Sequence, residues 1–250
     1  PVLRVSGLAE PDSVIALLDR GEAVRQVRTS SQGVWSAVID VDGPGMAVEA
    51  VMYDMAEDAS VASDEMPEDL PPAATSIRGL ETIFRIHRPT AAQPDAPALI
   101  MIGTPGAPTR LVQSPFGGLP SAGPLAVGTI DYDDAGGVIF SGVSDRPGRV
   151  VLSAANAEIG ETRVGPDGRW TYIASSVMPI GEYEVRAELL SDGQDTGGWT
   201  VAVEFERLPP LPDTTGDDGA LSVSFEPSRW QVRRSLVGGG LQSTAIFAPG

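Results

Sequence analysis

The sequence predicts an all-β protein built from two compact units. Its 250 residues include 29 glycines and 22 prolines, about a fifth of the chain, and so many turn formers disfavour long helices. Short runs of β-branched or alternating apolar residues recur at spacings of about 8 to 12 residues, as in β-sandwiches. An internal repeat then divides the chain into two similar parts, which predicts the same fold twice.

The two copies of the repeat are related by an offset of 135 residues. The matching positions keep both residue type and spacing: Ser6-Gly7 with Ser141-Gly142, the apolar run at 15–17 with that at 150–152, and Gly33-Val34-Trp35 with Gly168-Arg169-Trp170. One insertion follows Trp35, after which Gly45 corresponds to Gly181.

Each copy is a series of predicted short strands joined by tight turns. Five strands are predicted in the second copy, at 137–144, 149–154, 158–164, 169–175 and 182–189. Pro166-Asp167-Gly168 fits a hairpin turn in which proline presets φ and glycine takes the left-handed position, and Ser31-Gln32-Gly33 is its counterpart. Three more strands are predicted ahead of this copy, at 98–103, 110–113 and 125–131.

Trp35 and Trp170 follow these turns by two residues and are predicted to point into the core. Both tryptophans also fit a second interpretation, as exposed aromatic platforms for sugars. The core is favoured, because a ligand site rarely recurs at the same place in both copies beside a turn with a purely geometric task. The repeated glycines are predicted to have structural roles as well, and they are Gly7, Gly33, Gly142 and Gly168.

The composition excludes several kinds of chemistry. The chain has no lysine and no cysteine, which removes Schiff bases, phosphate-binding P-loops, thiol nucleophiles, disulfides and cysteine metal sites. His87 is the single histidine, so ordinary zinc sites are excluded, and no cofactor is predicted. A formal net charge of −17 disfavours nucleic acid and anionic membrane surfaces, and no apolar run is long enough to span a bilayer.

The repeat resembles the bacterial immunoglobulin-like domains that occur in tandem in envelope and surface proteins. The residues that carry the resemblance are Ser6, Gly7, Ala9, Pro11, Ser13, Val14, Gly33 and Trp35 in the first copy, and Ser141, Gly142, Asp167, Gly168, Trp170, Gly181, Tyr183 and Val185 in the second. The resemblance covers about 50 residues twice and implies tandem immunoglobulin-like β-sandwiches. In the second copy Arg146-Pro147-Gly148 replaces Glu10-Pro11-Asp12.

These patterns predict five segments. Residues 1–53 form a first sandwich, which lacks the lead-in strands of the second and is either cut or completed by neighbouring chain. Residues 54–79 form an acidic linker, for which a calcium-collecting loop is the alternative. Residues 80–208 form the second sandwich with its extra strands, 209–227 a second linker, and 228–250 a small terminal module.

The terminal segment is predicted to begin with a short helix that breaks at the glycines at 238–240. It resembles the middle of a LysM peptidoglycan-binding module, at Ser228, Trp230, Val232, Leu236, Gly238 and Ile246. Glu226-Pro227 stands where the family has Gly-Asp, and the segment ends on Pro249-Gly250 instead of Ala-Asn. The resemblance therefore implies a degenerate or truncated remnant in which Trp230, Val232 and Ile246 form the core.

The densest carboxylate cluster in a predicted folded region is Asp131-Tyr132-Asp133-Asp134. A solvated turn is the favoured interpretation; Asp131, Asp133 and Asp134 are also weak calcium candidates and, more remotely, candidate acids for glycan cleavage. The glutamate that an EF-hand loop requires is replaced by Gly142, which excludes that loop. His87 lacks any serine motif to serve as a base and is predicted to be a surface residue.

The resemblances imply a non-enzymatic protein of the periplasm or cell envelope of a Gram-negative bacterium. Its sandwiches would act as spacers, and its tail would associate with peptidoglycan by hydrogen bonds to N-acetyl groups. An adhesin or assembly subunit that binds protein partners through sandwich surfaces, stiffened by calcium, is the alternative. A glycan hydrolase with its catalytic domain elsewhere is a remote third.

Overall fold

The structure is a computed structural model, and its regular elements are all β-strands. It describes residues 2–19, 22–41, 43, 45–55, 74–89, 95–104, 106–116, 124–174, 178–190, 198–210, 221–235 and 240–248. Across these ranges no helix has the length and apolarity to cross a membrane.

The chain divides into two compact units, residues 1–106 and 107–250. This boundary differs from the one predicted between residues 79 and 80. Residues 74–86 form a strand that pairs with the strand at 45–55, and the predicted strand at 98–103 pairs with it in turn, so both belong to the first unit. Of the predicted acidic linker, residues 54–55 and 74–79 lie in paired strands, and residues 56–73 lie outside the described residues.

The described residues of the first unit contain seven strands: β1 (Val2–Leu8), β2 (Val14–Asp19), β3 (Glu22–Arg28), β4 (Val34–Asp40), β5 (Gly45–Met55), β6 (Ala74–Ile86) and β7 (Leu99–Gly103). β1 and β4 pair with each other, and the strands that this unit contributes to the second sheet have the order β3-β2-β5-β6-β7. All of these pairs are antiparallel. The two sheets share one apolar core, as expected of a β-sandwich.

Alternation along β4 places its apolar side chains in this core. Trp35, Ala37 and Ile39 are buried, whereas the residues between them are exposed. β2 is buried on both faces, which explains its continuous apolar run. The first core consists of Val5, Ile15, Leu17, Trp35, Ala37, Ile39, Val41, Met46, Val48, Ala50, Met52 and Ile83.

Eleven strands lie in the part of the second unit that the structure describes: β8 (Arg110–Gln113), β9 (Ala126–Asp133), β10 (Val138–Val143), β11 (Arg149–Ala154), β12 (Ala157–Arg163), β13 (Arg169–Ile173), β14 (Gly181–Leu190), β15 (Trp199–Arg207), β16 (Leu221–Phe225), β17 (Arg229–Ser235) and β18 (Leu241–Phe247). One sheet has the order β13-β10-β9-β18-β17-β16, and the other has the order β12-β11-β14-β15. Their facing sides meet in a core around Trp170, Phe140 and Phe205.

The sequence offset of 135 residues is preserved in the strand register. Gly7 lies opposite Trp35 in the β1–β4 pair, and Gly142 lies opposite Trp170 in the β10–β13 pair. The turns match too: the Ala9 amide donates to the Gly33 carbonyl at 2.9 Å, and the Ser144 amide donates to the Gly168 carbonyl at 2.8 Å. Gly33 and Gly168 have φ values of +76° and +75°, so both turns use the left-handed conformation.

The helix predicted after residue 228 is wrong. Residues 229–235 and 241–247 are β17 and β18, and β18 pairs with β9 in the larger sheet of the second unit. The predicted helix break at 238–239 lies outside the described residues. The segment forms strands because runs of consecutive residues in β17 and β18 are buried, and tertiary packing overrides local propensity. The predicted terminal module therefore lies within the second unit.

Candidate functional site

Asp131, the first of the candidate carboxylates, is almost completely buried on β9. Its Oδ2 accepts the Thr109 amide at 2.8 Å, and its Oδ1 accepts the hydroxyls of Thr109 at 2.5 Å and Thr244 at 2.6 Å. Burial raises the pKa of Asp131, and these hydrogen bonds oppose that rise. The carboxylate thus ties the segment before β8 to β18, which is a structural task.

Asp133 and Asp134 lie beyond Asp131 at the exposed turn between β9 and β10. Oδ1 of Asp133 accepts the Gly137 amide at 2.8 Å and closes that turn. Within the described ranges, no three histidine or acidic side chains are grouped so as to hold a metal ion. Asp131 and Asp133 therefore have hydroxyl and backbone partners.

His87 is half-buried just after β6. Its Nε2 lies 3.1 Å from the Ala96 carbonyl oxygen, which connects the two ends of the loop between β6 and β7. A hydrogen bond at that distance gives the ring a loop-closing role.

The LysM-like positions are divided between the sheet and its surface. Trp230 packs edge-on against Phe225, at 4.7 Å between ring centroids, and against Phe116 at 6.0 Å. Val232 and Ile246 are buried in the same sheet, whereas Ser228 is exposed in the turn between β16 and β17. Leu236 and Gly238 lie outside the described residues.

Trp35 and Trp170 point into the two cores, with exposed fractions of 4% and 1%. Nothing in the described part of the chain accepts a hydrogen bond from either indole Nε1. Rings enclosed to this degree cannot stack on a sugar, so the aromatic-platform interpretation does not fit the structure.

A groove that sequence reasoning missed lies among residues of β1, β3 and β4 in the first unit. It has a volume of about 360 Å³ and is lined by Arg4, Val5, Ser6, Arg25, Ser36, Ala37 and Val38. Arg4 and Arg25 are exposed and form no hydrogen bond or ion pair with another described residue. With no acidic partner among the described residues, these two guanidinium groups form a local cationic site in a chain of net charge −17.

The matching positions of the second unit carry larger side chains. Phe140 and Tyr172 stand where the first unit has Val5 and Ala37, and their rings lie 6.3 Å apart. The Tyr172 hydroxyl donates to the Ile159 carbonyl, and a methyl group on Gly160 would collide with that hydroxyl. The signal for the groove was in the sequence, since Arg4 and Arg25 replace the repeat's Ile139 and Gly160.

The two units also differ at the edge beside the groove. β10 pairs with β13 on one side and with β9 on the other. Its counterpart β1 pairs with β4, and no other described strand pairs with it. The outer edge of β1 therefore presents backbone groups that a further strand could bond.

Comparison of the chain with protein-family models, with curated proteins and with solved structures found no match. The immunoglobulin-like and LysM resemblances rest on the residues alone. Function is accordingly argued from the chemistry of the sites described above.

Proposed function

We propose that this chain is a non-enzymatic spacer and scaffold of the cell envelope, built from tandem immunoglobulin-like sandwiches. The observation that carries the proposal is the duplicated frame, in which the same glycine and tryptophan face each other in both units. A duplicated structural frame extends a chain without adding a reaction centre. Asp131 and Asp133, two of the acids that suggested chemistry, have structural partners, which supports a mechanical role over a catalytic one.

Association with peptidoglycan forms part of this proposal and concerns the segment from 228 to 250. Because Trp230, Val232 and Ile246 belong to the sheet of the second unit, a glycan contact would use the exposed turn at Glu226, Pro227 and Ser228. Backbone groups and the serine hydroxyl in that turn suit hydrogen bonds to N-acetyl groups. Location in the periplasm or outside the cell follows from this role.

Co-sedimentation of the intact chain with purified peptidoglycan sacculi tests the glycan part. We expect the chain to sediment at physiological salt and Ser228→Asp to reduce the bound fraction at least about fivefold, because a carboxylate cannot donate to a carbonyl oxygen. Ser31→Asp, at the exposed turn of the first unit, is the matched control and should sediment normally. A chain that stays in the supernatant, or equal loss in both variants, would refute the wall association.

The second candidate function is that of an adhesin or assembly subunit. It is favoured by the outer edge of β1, with which no further strand pairs among the described residues, since sheet edges are common sites of protein recognition. Calcium stiffening, part of the same candidate, predicts that the melting temperature rises when calcium is added, and an unchanged value would contradict it.

A further inference from the structure

We propose that the second unit binds a small inorganic anion, of the size of chloride, between Arg207, Arg233 and Ser243. The site lies at one end of the core that the two sheets of this unit share. It is formed by buried side chains of the second unit alone. Anion binding there is independent of the spacer role, of peptidoglycan binding and of the groove in the first unit.

The facing sides of both sheets become polar at this end of the core. Phe205 of β15 lies in the core, and Arg207, two residues further along the same face, is also buried. In the other sheet, Arg233 of β17 lies opposite Ser243 of β18, and Ser243 lies opposite Tyr132 of β9. Residues directly opposite each other share a face of the sheet, and the Tyr132 ring packs against Phe205 at 5.6 Å between centroids. This row of side chains therefore faces the sheet that carries Arg207.

Hydrogen bonds to the backbone hold both arginines at this end. Nη2 of Arg207 donates to the carbonyl oxygen of Asp133, the neighbour of Tyr132, at 3.1 Å. Nη2 of Arg233 donates to the carbonyl oxygen of Pro209, two residues after Arg207. Both acceptors are neutral, so the two positive charges stay uncompensated by these contacts.

Three buried donors in this cluster have no partner. Arg207 and Arg233 are 6% and 9% exposed, and Nε of each makes no hydrogen bond with a described residue. The Ser243 hydroxyl, which is completely buried, makes none either. Neither arginine forms an ion pair within the described part of the chain. Buried charges are normally paired, because an uncompensated charge away from water is costly.

An anion meets these requirements better than a water molecule. Water would accept hydrogen bonds from the donors and leave both charges unpaired, whereas an anion accepts charge-assisted hydrogen bonds and supplies the counter-charge. The enclosure of the two guanidinium groups favours a compact ion over an organic one.

The described carboxylates nearest to the cluster have other partners. Oδ1 of Asp133 accepts the Gly137 amide, and Oε2 of Glu206 lies 3.8 Å from Nη2 of Arg229. The acids at 213, 217 and 218 lie outside the described residues. They are an alternative source of the counter-charge, and the experiment includes them.

Hydrogen exchange of the intact 250-residue chain tests the site, with chloride alone as the probe. Sodium chloride is raised from zero to about 200 mM while sodium gluconate, whose anion is far larger, is lowered so that ionic strength and charge screening stay fixed. The amides of β17 and β18 should exchange at least about threefold more slowly at the highest chloride concentration, because an ion bound only to the folded state stabilises it. The amides of β2 and β5 in the first unit should not change.

Two variants assign the effect to the cluster. Ser243→Ala removes one donor without a change of charge, and it should raise the chloride concentration for half of the effect at least about threefold. Arg233→Met removes one of the two charges and should abolish the effect. Arg186→Met is the matched control, since it removes an exposed arginine that pairs with Glu184. An unchanged response in Ser243→Ala, or an equal loss in Arg186→Met, would overturn the proposal.

A combined variant, with Asp213→Asn, Asp217→Asn and Asp218→Asn, separates the anion from the chain's own acids. The proposal predicts the same chloride response in this variant as in the unmodified chain. A response only in the variant would mean that these carboxylates neutralise the arginines, and this would contradict the proposal. Slower exchange with sulfate but not with chloride, or with neither ion, would contradict it as well.

Discussion

Gly142 lies directly opposite Trp170, and the indole ring occupies the space where a side chain at 142 would be. A methyl group built on Gly142 would lie 2.6 Å from Cε2 of the ring, and closer still to Cζ2 and to the Ala126 carbonyl oxygen. Gly7 and Trp35 repeat the arrangement with more room, at 2.9 Å from Cζ2 and Nε1. The absence of a side chain at these glycines is what allows each tryptophan to fill its core.

The two glycines should therefore respond differently to the same substitution. Gly142→Ala has a backbone carbonyl in the way and should cost about 3 kcal/mol of unfolding free energy, the upper end for overpacking, whereas Gly7→Ala should cost about 1 kcal/mol. Urea titrations of the two variants and the unmodified chain measure both values. A larger loss for Gly7→Ala would contradict the packing described here.

The contribution of Trp170 to the core can be tested by replacing it with smaller side chains. Trp170→Ala should cost about 3–5 kcal/mol because it leaves a large cavity. Trp170→Phe should cost less than half as much, since it keeps much of the apolar contact and removes an Nε1 that has no hydrogen-bond partner in the described part of the chain. Thermal unfolding of both variants checks the order, and equal losses would mean that Nε1 has a partner.

Asp131 should make stability depend on pH in a defined direction. Burial raises the pKa of Asp131, so between the unfolded and folded pKa values the folded chain binds more protons than the unfolded chain. Its contribution to the free energy of unfolding is therefore greatest at low pH and falls as pH rises through the folded pKa. Above the folded pKa, the contribution of Asp131 to the free energy of unfolding falls no further.

Asp131→Asn removes this titration and keeps the contacts. The amide oxygen can accept from the Thr109 backbone, and the amide nitrogen can donate to the hydroxyls of Thr109 and Thr244. The stability of the variant relative to the unmodified chain should rise from pH 4 to pH 8, as measured by urea titration at each pH. A constant difference would show that Asp131 does not titrate in that range.

The last three strands should be indispensable to the second unit. A chain ended at Pro210 loses Ala245 and Phe247 from the core, and it loses Thr244, one of the two hydroxyl donors to Asp131. We expect the near-ultraviolet circular dichroism of Trp170 and its neighbours to weaken and the β9 amides to lose protection from hydrogen exchange. Unchanged protection at β9 would show that residues 211–250 form a separate module.

Most of the fold that could be predicted from the sequence was predicted from the internal repeat. Matching turns at Gly33 and Gly168 fix the strand that follows, and the tryptophan two residues later must then point inward, so the all-β class and both cores followed from local rules. The structure of the C-terminal segment was harder to predict from the sequence. Ser228–Ser235 contains arginines that are compatible with a helix turn, and only its long-range pairing with β18 makes it a strand.

The candidate site depended on differences between the copies. A motif search favours positions that match, such as Gly7 with Gly142, and passes over Arg4 with Ile139. The carboxylates at 131, 133 and 134 were candidate site residues because they are close together in the sequence. The partners of Asp131, Thr109 and Thr244, lie far away along the chain and are brought close by the fold, which local spacing cannot show.

The claim that the offset of 135 residues builds one frame twice is tested most directly by nuclear Overhauser effects in the intact chain. The account predicts strong cross-peaks from the α-protons of Gly7 to the ring protons of Trp35, and from those of Gly142 to the ring of Trp170, with upfield shifts of both glycine signals. Cross-peaks in one unit without the other, or in neither, would contradict it.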